Sequence, residues 1–210
     1  MLNSALFFGF LVAAFAVLVV PGPGVLYVVA RSLNQGIMAG FVSALGLSVG
    51  VLVHVAAAVA GLSAIVLTSA TAFLIVKFLG AGYLVYLGIQ TLRSGRASIQ
   101  SDTVTRLPLS RLFTDGVMVS VLNPKIAVFF LAFLPQFVDP ALGSVSRQIV
   151  LLGLIYAGLA LCTDSTYGVL AGSLKRMFHG DFLQGPLPRY ISGSLLVGLG
   201  LKAALTSQQQ

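Results

Sequence analysis

Glutamate and tryptophan are absent from this chain, and aspartate occurs only five times in 210 residues. Charged residues make up 8% of the sequence, against about 25% in a soluble domain. A chain this poor in charge and 58% hydrophobic cannot cover itself with polar surface, and it reads as an integral membrane protein. Its single cysteine, Cys162, excludes an internal disulfide. The two histidines, His54 and His179, stand far apart with no glutamate or second cysteine to join them, so neither a metal site nor another cofactor site is visible. No glycine-rich loop follows a strand-like run, and no Ser/His/Asp grouping has an interpretable spacing. Catalysis is not indicated.

What is present is charge of one sign and long apolar runs. The net charge of +7 would suit a nucleic-acid partner in a soluble protein. In a membrane chain it is better explained by basic loops that hold the cytoplasmic side. A spanning helix needs about 20 mostly apolar residues, and six stretches qualify: 6–30, one within 37–67, 72–92, 117–138 (starting nearer 112 if the preceding turn joins it), 149–174 and 190–205. The last is short, which leaves five spans as the alternative. The first stretch lacks a basic leader and a small-residue cleavage site, so it reads as a retained span and not a signal peptide.

With six spans, Arg31, Arg93, Arg96, Arg106, Arg111, Lys175, Arg176 and Arg189 fall on one side, and only Arg147 and Lys202 on the other. The first side is expected in the cytoplasm, with both termini outside. The polar stretch 93–115 then forms a cytoplasmic linker in a single transmembrane domain, between one half at 1–92 and another at 116–210. Each half holds three spans. An odd number makes the second half enter from the opposite face, so an inverted repeat is the expected relation.

Two of the spans are interrupted. Pro21, Gly22, Pro23 and Gly24 break the first, and Asn123, Pro124 and Lys125 break the fourth. Broken backbone at membrane depth survives only where protein or a watery cavity surrounds it, and a pair of such breaks in corresponding halves points to a transporter site. Ionisable residues within spans are the other signal, since each is costly in lipid. Asp164 shares a helix face with Ala160, Gly168 and Gly172; it suits a proton carrier or a ligand for an amine, and its structural alternative is an ion pair with Lys125. His54 follows Gly46 and Gly50 at four-residue spacing, as a second proton-coupling candidate or an interhelical hydrogen bond. Lys77 is either functional or a snorkelling side chain at the interface.

These motifs resemble a known family. The Pro21-Gly22-Pro23 break, the run GAGYLVYLG at 80–88, and Asn123-Pro124-Lys125 followed by Phe129-Phe130 and FLPQF at 133–137 are similar to the LysE/RhtB amino-acid exporters. The resemblance implies a multi-pass secondary transporter of the bacterial inner membrane that exports amino acids or close derivatives, coupled to protons. By the same resemblance Pro21, Gly22, Pro23, Asn123, Pro124 and Lys125 match the two broken-helix motifs, and Asp164 matches an acidic position of the fifth span. The half-helices starting near Gly24 and near Lys125 are expected to converge with their N-termini at mid-membrane, where the substrate carboxylate would sit, which makes these residues and Gly24 the expected substrate site. The expected partners are a small amino acid, protons and the lipid bilayer, with a homo-oligomer left open. The competing readings are a passive channel, a transporter of another small metabolite, and a scaffold whose buried charges are structural.

Overall fold

The computed structural model describes residues 3–68 and 106–174, together with 78, 82, 85, 86, 89, 93, 197 and 201. Among these the chain is helical, with no strand. Of the third and sixth expected spans only those scattered positions are described, each in α-helix, and Lys77 lies outside them.

Helix α1 spans Ser4–Val19 and α2 spans Pro23–Gln35, and the axis bends by 52° between them. Proline is accepted at the first turn of α2 because its missing N–H would have had no helical partner there. Gly36, at φ +96°, ends α2 in a conformation that side chains avoid, and lets the chain turn directly into α3, Ile37–Thr68. Helix α4 (Leu109–Val121) and α5 (Pro124–Val128) form the second bent pair, at 47°. After α5 the helix widens to a π-turn at Phe129–Phe133 and tightens to 3₁₀ at Leu134–Phe137. Helix α6 runs over Val145–Leu174. By length and apolarity α3 and α6 can each cross a bilayer alone, and the two bent pairs raise the number of candidate spans to four among the described residues.

The fourth span begins earlier than the run 117–138 suggested. Leu112, Gly116 and Ser120 lie four apart and are buried as one face, while Arg111 and Asp115 pair on the outer face at 2.9 Å. Those two charges make the first turns of the helix look like linker in the sequence.

Helix α3 is the spine. Its small-residue face packs on α4, where a side chain added at Gly46 would meet the backbone of Phe113 and Gly116. Close backbone approach of this kind is how helices associate in lipid, where apolar burial gives little drive. Further along, Gly40 meets Gly168 of α6, and the Ser32 hydroxyl of α2 donates to the Gly168 carbonyl. At the other end an aromatic cluster fills the core: Phe10, Phe129, Phe130, Phe133 and Tyr156 are all buried.

Candidate functional site

Each proline in a break deprives one carbonyl, four residues earlier, of its helical donor. Pro21 orphans Val17, Pro23 orphans Val19 and Pro124 orphans Ser120. In lipid such a carbonyl needs another partner, and the structure supplies all three. Lys125 Nζ donates to the Val17 carbonyl at 3.1 Å and to that of Val20 at 2.9 Å. The Tyr167 hydroxyl donates to the Val19 carbonyl at 2.8 Å. At the second break the Asn123 N–H (3.0 Å) and His54 Nε2 (3.1 Å) both point at the Ser120 carbonyl. A carbonyl can only accept, so Nε2 of His54 carries a proton. Lys125 thereby ties the two breaks together. Its approach depends on Gly22, where a Cβ would stand 3.1 Å from Nζ.

The donor ends of the two breaks differ. At the second, the Asn123 side chain accepts from the Lys125 N–H at 3.0 Å, and the Asn123 carbonyl accepts from Ile126 and Ala127. At the first, Leu26 donates to the Gly22 carbonyl, but the N–H groups of Gly24 and Val25 have no acceptor among the described residues. They stand at the positive end of the 13-residue helix α2. Gly24 and Val25 line a small cavity of about 20 Å³ together with Asn123, Lys125 and Asp164. That is room for about one water molecule, so an amino acid would enter only as the surrounding helices part. The remaining wall is mostly aliphatic, from Leu18, Leu47, Val51, Ile126 and Ala160, with Ser120 and Tyr156 as its polar members.

The profile of the LysE type translocator family matches residues 15–207. The chain belongs to that family. The translocator is 29% identical to an uncharacterized membrane protein of Vibrio cholerae over 195 residues, which is 93% of this chain and 94% of that protein. It is 28% identical to a leucine efflux protein of Salmonella typhimurium, over 93% of this chain and 92% of the relative. A membrane protein of Bacillus subtilis, YrhP, is 27% identical over 90% and 93% of the two chains. No solved structure matches.

In this translocator the residues singled out from the sequence come together. Pro21, Gly22, Pro23 and Gly24 form one side of the junction; Asn123, Pro124 and Lys125 form the other. Lys125 and Asp164 are each 8% exposed and face the same cavity. They are near enough to act on each other electrostatically, yet among the described residues the one ion pair within 4.0 Å is Arg111–Asp115. Among the described residues Asp164 has no ion-pair partner within 4.0 Å, and the lysine is held by carbonyls. His54 packs its ring on Phe130, with centroids 6.2 Å apart, and serves as the cap already described. Sequence reasoning missed Tyr167, Ser120 and Tyr156. Ser120 was within reach, because its carbonyl lies four residues before Pro124 and is orphaned by it. Tyr156 lies on the face of Asp164, eight residues earlier.

Proposed function

We propose that this translocator exports an aliphatic amino acid such as leucine across a bacterial inner membrane, in exchange for protons. The observation that carries the reading is the placement, around one small cavity, of a cation with two main-chain N–H groups that lack an acceptor among the described residues, and of a carboxylate that has no ion-pair partner among them. An amino acid is a zwitterion, and these groups match its two ends. Lys125 keeps one N–H beyond the two it gives to Val17 and Val20. That donor and the N–H groups of Gly24 and Val25 suit the substrate carboxylate, and Asp164 suits the ammonium. The aliphatic wall suits a leucine-like side chain, in keeping with the name of the Salmonella relative.

Coupling follows from competition at Asp164. The substrate ammonium and a proton are alternative partners for one carboxylate. When the substrate leaves outwards, a proton from outside takes its place; when the next substrate binds from the cytoplasm, that proton is released inwards. His54 is occupied as a cap, so Asp164 is assigned the exchange. In this reading the chain is a transporter, not an enzyme, and needs no cofactor. Its six spans form an inverted repeat with both termini outside and 93–115 in the cytoplasm. A cysteine at Ser101 in a Cys162→Ala background should be shielded from an impermeant thiol reagent in intact cells, and labelling there without lysis would reverse the orientation.

The direct test is flux from proteoliposomes loaded with labelled L-leucine. Efflux should saturate and should accelerate when protons are supplied on the side that receives leucine. Linear efflux indifferent to the pH gradient would instead support a passive channel.

A further inference from the structure

Two hydroxyl groups of the cavity wall remain without a role. Tyr156 and Ser120 are each 0% exposed, and neither Tyr156 Oη nor Ser120 Oγ has a hydrogen-bond partner among the described residues. Both residues line the cavity that holds Asp164, whose charge is felt at Tyr156. A buried hydroxyl left unpaired is costly, and two in one wall call for an occupant.

Both are also held in place. The Tyr156 ring packs on Phe129 with centroids 4.6 Å apart, and on Phe130, edge to face, at 5.3 Å. Phe129 and Phe130 open the π-turn, a feature that often marks functional positions in helices. Ser120 is pinned from two directions. Its carbonyl is held by His54, and its Cβ sits where Gly50 of α3 leaves no room for a side chain.

The chemistry of the expected substrate supplies the occupant. A primary ammonium carries three N–H donors, and a single carboxylate beside an otherwise aliphatic wall does not satisfy all of them. A hydroxyl oxygen accepts from an ammonium while its own proton turns to a carboxylate oxygen. We infer that the Tyr156 and Ser120 hydroxyls join Asp164 as acceptors for the substrate's ammonium group, and so select an unsubstituted α-amino group. This rests on the export reading above, because it takes an amino acid as the occupant. The two residues are specificity determinants distinct from the proton-exchanging carboxylate.

The test compares L-leucine with N-methyl-L-leucine as competitors of labelled L-leucine in proteoliposomes. N-methylation removes one donor. Wild type should prefer leucine at least about tenfold, the lower end expected for a hydrogen bond to a charged group. Tyr156→Phe and Ser120→Ala should each weaken leucine by roughly ten- to a hundredfold, and N-methyl-leucine by much less, so the ratio between them shrinks. Preference among leucine, valine and phenylalanine should stay as in wild type, which a general loosening of the core would not allow. Should Tyr156→Phe fail to elute as wild type does, Ser120→Ala carries the same test, since alanine keeps the Cβ that packs on Gly50. If both competitors weaken equally, or neither changes, the hydroxyls do not contact the ammonium and the inference fails while export stands. If wild type recognises neither compound, the export reading fails first.

Discussion

The two breaks are built from the same residue types and finished in opposite ways. The first is capped from outside: Lys125 and Tyr167 reach across from α5 and α6 to its stranded carbonyls, and its N–H groups at Gly24 and Val25 have no acceptor among the described residues. The second is largely capped from within, because Asn123 accepts from Lys125, Ile126 and Ala127 and donates to Ser120. On the proposed reading the difference divides the labour: the first break offers main-chain donors to a substrate carboxylate, and the second contributes a cation.

Lys125→Met should have the largest effect, because it strikes both breaks. It leaves the Val17 and Val20 carbonyls without their donor, at about 1–3 kcal/mol each, and removes the positive charge from the cavity. Leucine flux should fall below detection and thermal stability should drop. Wild-type flux in this variant would show that the lysine is only a cap. Asp164→Asn comes next. It keeps the shape of the side chain, so the protein should still insert, but gradient-driven accumulation should vanish; accumulation at the normal level would remove Asp164 from the coupling mechanism.

Tyr167→Phe should be milder. One carbonyl, that of Val19, loses its partner at the outer cap of the first break, for a cost of about 1–3 kcal/mol. The loss should show in the melting temperature with the preference for carboxylate substrates kept. Asn123→Ala should be smallest, about 0.5–2 kcal/mol, as for other N-caps. If Asn123→Ala abolished leucine recognition and Tyr167→Phe did not, the second break would be the ligand-facing one and the comparison would be inverted.

Much of this arrangement was legible in the sequence because its causes are local. Two prolines within an apolar run must break a helix, and a carboxylate on a small-residue face must point into the bundle. The breaks at Pro21 and Pro124 appear where those rules put them. The start of α4 was obscured by Arg111 and Asp115, which read as linker until their i,i+4 pairing was seen. The partners of the orphaned carbonyls were not legible. Tyr167 and Lys125 reach Val19 and Val17 across more than a hundred residues of chain, and only the packing of α1 against α5 and α6 fixes those contacts. The expectation of two converging helix ends also needed the structure, because Asn123 as a cap and Asn123 as a ligand residue look the same in a sequence.

The central claim is that the open end of α2 and the Lys125 ammonium hold a carboxylate. The most direct measurement is competition of L-leucine, leucinamide and 3-methylbutylamine against labelled L-leucine in proteoliposomes. The acid should compete strongly, and the amide and the amine, which keep the side chain and the ammonium, should compete poorly. If all three compete alike, the breaks do not bind the carboxylate, and they are hinges in a translocator that recognises its substrate elsewhere.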